Sequence, residues 1–361
     1  MTILYLGDSQ SSSTSYHRAA ALQRLGHQVI IGDIFENIFR STPSKYIQAF
    51  HYHSGFIFLQ NKVLGFIKKL VSRSAKPDVI WVNSGELLNE SCLLYLKRIG
   101  CPIVLYNNDD PTGKRDGNRF KLLLGAIKHY DLCVVMRTMN VQEFYNIGAK
   151  RVLRVFMSYD EVFHQPFLDI TEIPLRFRSD VVFIGTWMRN EHRDVFIREL
   201  IKHGIPISIW GSRWYKSPLW KELKPFHKGD SISGRDYVAA IQASKVCLGL
   251  LSKGNRDQHT QRSMEIPFIG GLFCAERTEE HLSLYKEGEE AIFWSDANEC
   301  AALCKQMLLD EPKATSIRSA GAAKIRSLGL GNEDVCKKIL LTLFAGQTAR
   351  HEPELQIHPS H

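Results

Sequence analysis

The sequence predicts an α/β protein made of two doubly wound, largely parallel sheets in tandem, each Rossmann-like. Three observations carry this. Short apolar runs alternate with helical patterns through most of the chain, the signature of strand–helix–strand units. That rhythm breaks once, over 157–179, and then restarts. The 361 residues, 44% apolar and 23% charged, suffice for two ordinary cores.

"TILYLG" (2–7) reads as a buried strand and 15–25 as a helix closed by Gly26. "QVIIGD" (28–33), "DVIWVN" (78–83), "PIVLYN" (102–107), "LCVVM" (132–136) and "RVLRVF" (151–156) are the next strands, with helical stretches between. Pro166, Pro174 and the loss of period make 157–179 the interdomain linker. The second series is "DVVFIG" (180–185), "PISIWG" (206–211), "VCLGLL" (246–251), "GLFCA" (271–275) and "AIFW" (291–294), with helices at 191–203, 234–244, 296–309 and 313–328. A last helix covers 332–345, and the polar tail "ARHEPELQIHPSH" is expected to be disordered. The expected units are 1–165, 175–330, a helix within 331–347 and a tail at 348–361.

The net charge of +8 favours anionic partners. Eight cysteines lack any Cys-x-x-Cys pair, so neither a zinc site nor a disulfide framework is expected. "MTILYLGDSQ" has no basic n-region, and no apolar run reaches the roughly 18 residues of a membrane span. These features suit a reducing, cytoplasmic protein. Residues 37–77 hold seven Lys or Arg, no Asp or Glu, and five Phe. They read either as a solvated helix with a core face or as a basic, aromatic surface for anionic lipid or an anionic acceptor.

Strand ends followed by Gly and polar residues mark the ligand crevice of such sheets. In "FIGTWMRNEHR" (183–193) a strand ends at Gly185, and Arg189, His192 and Arg193 enter the next helix. A helix N-terminus with arginines suits a diphosphate; the alternative is arginines on a surface helix. No G-x-G-x-x-G follows either first strand, so a nicotinamide site is not expected. "IWGSRWYKSPLW" (209–220) crowds Trp210, Trp214, Tyr215 and Trp220 around Gly211, to stack on a base or sugar or to pack under the loop. "LLSKGNRDQHTQRSME" (250–265) brings Lys253, Arg256, Asp257, His259, Thr260, Arg262 and Glu265 to one strand end. Glu265 stands among Met264, Ile266, Pro267 and Phe268 and so needs water or a partner. It can accept hydrogen bonds from a ribose diol, or it can cap its own helix.

"HTQRSMEIPFIGGLFCAERTEEHLSLYKEGEEAIFWSDANE" (259–299), with "DVVFIGTWMRNEHR", "YNNDDP" (106–111) and "GAKRVLRVF" (148–156), closely resembles CgeB-like, spore-maturation-type glycosyltransferases. Their pattern is Arg-x-x-Glu, a Gly-rich turn, a short strand, an acidic loop, Gly-x-Glu and a further strand. The resemblance spans roughly 75–335 and is strongest over 180–300. It implies a GT-B fold: two Rossmann-like domains facing across a cleft, with the C-terminal helix returning to the N-terminal domain. It implies transfer of a sugar from a nucleoside-diphosphate sugar to a hydroxyl on a glycan, lipid-linked or small-molecule acceptor. The wider retaining family carries Glu-x7-Glu. Its second Glu binds ribose and matches Glu265; its first falls on Asp257, one methylene shorter.

Retention without a bound metal, and no cofactor beyond the sugar nucleotide, follow from that resemblance. Arg193, Lys253 and Arg262 are the candidates for the leaving diphosphate, where fixed cations stabilise developing charge. Gly185, Arg189, Trp210, Gly211 and Glu265 are the candidates for holding the donor. Asp8, His17 or Asp109 can serve as base or acceptor clamp, although His17 also reads as an ordinary surface or core histidine. The rivals are a nucleotide-sugar epimerase or hydrolase on the same fold, and a catalytically degenerate binding module, which the Asp at 257 favours. Nucleic-acid binding is not expected, because no reader motif accompanies the basic residues. The protein is expected in the cytoplasm, with peripheral contact at the inner face of the membrane through 37–77.

Overall fold

The computed structural model describes residues 1–42 and 44–348. All of the expected tail beyond Thr348 lies outside the described residues. The first sheet contains β1 (Thr2–Leu6), β2 (Gln28–Gly32), β3 (Val79–Asn83), β4 (Ile103–Asn107), β5 (Leu132–Val135) and β6 (Val152–Arg154). Its order is β2-β1-β3-β4-β5-β6, with every pair parallel. The helices around it are α1 (Thr14–Arg24), α2 (Lys45–His53), α3 (Gln60–Arg73), α4 (Glu90–Lys97), α5 (Lys121–Ala126) and α6 (Thr138–Asn146).

The second sheet contains β7 (Ser179–Ile184), β8 (Ile207–Trp210), β9 (His227–Gly229), β10 (Ser244–Gly249), β11 (Phe273–Glu276) and β12 (Ile292–Trp294). Its order is β12-β11-β10-β7-β8-β9, again parallel. Its helices are α7 (Arg193–Lys202), α8 (Trp220–Leu223), α9 (Gly234–Gln242), α10 (Arg262–Ile269), α11 (Glu279–Leu284), α12 (Ala297–Leu309) and α13 (Glu311–Ser327). The two sheets in tandem agree with the alternation in the sequence. Strand β9 is an addition: "HKG" carries no apolar run, and it is held by pairing with β8. A π-helical turn (Phe35–Arg40) leads into 37–77, where α2 and α3 follow, joined by a short turn at 54–59.

Both faces of each sheet are covered, which is why the strands read as continuous apolar runs. Along β1, Leu4 and Leu6 enter a core with Val63 and Ile67 of α3, while Ile3 and Tyr5 enter the opposite core. The last helix, α14 (Asn332–Thr348), fills that opposite core with Val335, Cys336, Ile339, Leu340 and Leu343. The chain has therefore crossed back to the first domain. The two crossings run side by side. Tyr159 bridges Gly331, Ser158 Oγ lies 2.6 Å from Asn332 Oδ1, and Asn332 Nδ2 donates to Asp160 Oδ2 at 3.0 Å. Arg24 of α1 clamps both crossings through Asp160, Glu161 and Glu333.

Candidate functional site in the interdomain cleft

In each sheet the strand order reverses next to the first strand, between β1 and β3 and between β7 and β10. A crevice opens at such switch points. In the first domain it is a cavity of about 460 Å³ at the carboxyl ends of β1, β3 and β4, and Gln261 of the second domain contributes to its wall. Gly7 makes room, since a Cβ there would collide with Ser15 Oγ and the Tyr5 ring. At the end of β3, Ser84 and Gly85 are left-handed, with φ 72° and 79°. Strain at a non-glycine residue persists only where neighbours hold it. Here the Ser84 N–H donates to the Tyr106 carbonyl at 2.8 Å, and Asn107 Nδ2 donates to the Ser84 carbonyl at 2.7 Å.

The cavity combines an apolar wall with charged groups that nearly balance. Arg40 pairs with Asp8 at 3.1 Å, and Arg119 pairs with Glu86 at 2.9 Å and Asp109 at 3.2 Å. Buried Arg18 lies 4.2 Å over the Tyr106 ring and donates to Asn83 Oδ1 at 3.1 Å. Burial pushes the Asp109 carboxyl above the usual carboxylate range, against the pull of Arg119. Ser13, Thr14 and Ser15 add hydroxyls. Such a lining suits a ligand with many hydroxyl groups.

From the second domain, Gln261 reaches the cavity just ahead of α10. The interior Pro267 of that helix has no N–H for the Ser263 carbonyl, and the Tyr285 hydroxyl donates to that carbonyl instead, at 2.6 Å. Gly270, with φ 91°, ends the helix. Among the described residues, the amides of Gln261 and Arg262 have no acceptor. The Arg262 guanidinium has no carboxylate partner, and its Nε is buried without an acceptor. Free amides and an unpaired cation at a helix N-terminus form an anion-binding corner.

Glu265 follows on the same helix and is 6% exposed. Its Oε2 accepts from the Tyr237 hydroxyl at 2.5 Å, and its Oε1 lies 3.7 Å from His164 Nε2. His164 Nδ1 accepts the Asp160 N–H at 2.9 Å, so the ring proton sits on Nε2, facing Glu265. The carboxylate makes no bond to its own helix amides, so it is not a cap.

Residues 252–257 form a second contact across the cleft. The φ of Arg256 is 54°, and its guanidinium forks onto Asp110 at 2.6 Å and Glu143 at 2.8 Å in the first domain. Arg137 pairs with Asp257, both buried, and burial still pushes the Asp257 carboxyl up to about 6. Glu191 accepts from the Lys253 and Gly254 amides at 2.8 and 3.2 Å.

Residues 191–328 match the sequence model of the family described as glycosyl transferase-like. No curated protein matches the chain. Among solved structures, HepE of Anabaena in complex with UDP and glucose aligns with TM-score 0.65 at 14% identity, covering 96% of this chain and all of that one. Sucrose-phosphate synthase of Thermosynechococcus elongatus gives 0.71 at 12%, with the same coverage. Trehalose 6-phosphate synthase of Burkholderia multivorans gives 0.61 at 12%, covering 99% of each chain. The fold is GT-B, and residues 191–328 of its second domain are similar to that family.

Of the side chains singled out by sequence, the second domain brings Arg262 and Glu265 together on α10, and the preceding residue, Gln261, lines the cavity. Other placements correct expectations. Arg193 donates to the carbonyls of Thr186 at 3.0 Å and Leu251 at 3.2 Å, so it stitches two loops together. Gly185 and Gly211 touch each other: a Cβ on Gly211 would collide with the Gly185 carbonyl, which also accepts from Trp214 Nε1 at 2.9 Å. Trp210 is packed in the core beside Phe177, 5.5 Å between rings. His17 lies outside the cavity lining, stacked on Phe163 at 4.2 Å; its neighbour Arg18 takes the cavity face of α1. Asp257 is held by Arg137. Arg189 is exposed without a partner among the described residues, and exposed Lys253 lies 3.6 Å from Glu276.

Sequence reasoning missed Tyr237, His164 and Arg137, which sit in segments with no local signal, and passed over Glu191 within 183–193. It also missed the meeting of Cys274 with Cys300 and Cys304. These three buried thiols converge between β11 and α12, although no metal or disulfide spacing announces them.

Proposed function

We propose that the protein is a glycosyltransferase that moves a sugar from a nucleoside-diphosphate sugar to a hydroxyl acceptor, a glycan or a lipid-linked molecule. One observation carries this reading: Gln261, next in sequence to an arginine without a carboxylate partner and beside free helix amides, lines a hydroxyl-bearing, charge-balanced cavity on the facing domain. The arginine and amides suit a diphosphate, and the cavity suits a polyol.

In this reading Arg262 and the α10 amides take the charge that builds on the leaving diphosphate as the anomeric C–O bond breaks. Exposed Lys253 and Arg189 add cations that can swing in. Glu265 spends one oxygen on Tyr237 and keeps acceptor capacity on the other for a ribose hydroxyl. Asp109 clamps the acceptor hydroxyl. The acceptor oxygen bonds to the anomeric carbon on the face that the diphosphate leaves, and the departing diphosphate takes the hydroxyl proton; attack on that face retains the anomeric configuration, with no metal or further cofactor needed. We place the chain with the CgeB-like group on the motif resemblance. The complexes of HepE with UDP make uridine nucleotides the first donors to test.

The test is a panel of nucleotide sugars, scored first by rise in melting temperature and then by product analysis with and without acceptor. A ligand at a hundred times its Kd stabilises by about 2.7 kcal/mol. Transfer in the presence of EDTA supports the reading; epimerised donor, or hydrolysis that no acceptor redirects, contradicts it. Asp257 favours a second reading, a sugar-nucleotide-binding module without turnover, because its ion pair with Arg137 removes it from the sugar. Donor binding with no release of nucleoside diphosphate over hours identifies that case.

A further inference from the structure

We propose that the exposed aromatic face of α2 and of the turn after it docks this protein on an anionic lipid bilayer. Tyr46, Phe50 and Phe58 are 89%, 56% and 62% exposed, with Ile47 and Ile57 exposed beside them. Tyr46 and Phe50 lie one turn apart on α2, and Phe58 stacks on Phe50 with centroids 5.3 Å apart. Large apolar side chains clustered in this way mark a contact surface, whereas scattered ones do not.

The surface is presented by a fixed turn. Gly55 and Phe56 are both left-handed, with φ 67° and 61°. A Cβ at 55 would collide with the Asn118 carbonyl, and a left-handed phenylalanine is strained. Full burial of the Phe56 ring, edge-on to Phe39 at 5.4 Å, holds the turn in place. Ile57 and Phe58 are thereby left at the surface.

Charge selects the partner. The seven cations of 37–77 have no acid within the segment, and among the described residues only Arg40 is ion-paired, with Asp8 and Glu36. Lys62, Lys69 and Arg73 are exposed along one stripe of α3, and Lys45 is exposed at the start of α2. A second copy of this chain would bring the same cations to the contact, so charge opposes self-association. An anionic bilayer receives aromatic rings at headgroup level and attracts each nearby cation by about 1 kcal/mol. No helix among the described residues is long and apolar enough to cross a membrane, so the contact is peripheral. The docked face borders the cavity: Phe35 and Arg40 line it, and Gln48 of α2 donates to the Thr42 carbonyl at 2.7 Å and the Arg40 carbonyl at 3.4 Å.

Flotation of the full chain tests this without any sugar donor, so its outcome is separate from that of the transfer reading. The vesicles are phosphatidylcholine alone or with about 30 mol% phosphatidylglycerol, at low and high salt. We expect binding to the anionic vesicles only, falling at least about tenfold from low to high salt. A Tyr46→Ser/Phe50→Ser/Phe58→Ser variant should lose that binding at unchanged melting temperature. Should that variant fail to fold, Lys45→Glu/Lys62→Glu, on exposed and unpaired sites, should lose it as well. Equal binding to neutral vesicles, no binding, or variants that float like wild type would overturn the proposal. So would a concentration-dependent dimer abolished by the same substitutions, which would make the face a contact between copies.

Discussion

The Tyr237 hydroxyl donates to Glu265 Oε2 at 2.5 Å, inside the second domain and beside the chain crossing that carries His164. This bond explains how a carboxylate survives in an otherwise apolar stretch of helix. It also fixes which oxygen is spent and which remains.

Tyr237→Phe removes the donor and leaves the buried carboxylate short of a partner. We expect a loss of about 1–3 kcal/mol in unfolding free energy, the range for a stranded buried polar group. Urea denaturation of both proteins measures it. An unchanged midpoint would mean that water replaces the hydroxyl.

Arg256 locks the cleft through Asp110 and Glu143. The Asp110 side chain is buried, and Arg256 helps hold its carboxyl below the usual range. Arg256→Ala should loosen the contact between the domains and raise the radius of gyration in small-angle scattering. It should also cost about 1–3 kcal/mol, the range for a buried polar group left without its partner, because Asp110 is buried while Arg256 itself is 34% exposed and partly screened. A scattering curve identical to wild type would show that the remaining contacts, among them Arg137–Asp257 and Arg115–Ser252, suffice to hold the domains together.

His281 gives a pH signature. Its Nδ1 faces the Glu276 carbonyl and its Nε2 meets Ser263 Oγ at 2.8 Å, so it is buried neutral and braces the first turn of α10. Burial pushes its pKa down to about 4. The folded state therefore binds fewer protons than the unfolded state between about 4 and 6.5. The stabilisation is complete above pH about 6.5 and is lost as pH falls towards 4, a total of about 3 kcal/mol. In His281→Gln that part of the slope should vanish from denaturation midpoints measured across this range.

Periodicity made the sheets legible, because strands covered on both faces carry uninterrupted apolar runs. Only "HKG" of β9 escaped, having no such run and existing through its pairing with β8. Within the site, the helix of Arg262 and Glu265 was legible because both lie in one short polar-to-apolar transition. Their partners were not. Tyr237 reaches Glu265 from a helix 28 residues away in sequence, and His164 reaches it from the linker. Arg193, Gly185 and Gly211 showed the opposite failure: their residue types suit a ligand, but backbone carbonyls and close backbone approach occupy them. Distinguishing a cation that binds ligand from one that binds loop carbonyls requires knowing which carbonyls are near, and only the fold supplies that.

Arg262 tests the central claim most directly, because among the described residues its guanidinium has no hydrogen-bonded or carboxylate partner, only the Tyr237 ring at 6.0 Å. Calorimetric titration of UDP into wild type and Arg262→Ala should show affinity falling about ten- to a hundredfold, the loss of about 1.5–3 kcal/mol expected for a hydrogen-bonded charge. The melting temperature of the ligand-free protein should stay the same. Equal UDP affinity in the two proteins would contradict a diphosphate site at the start of α10.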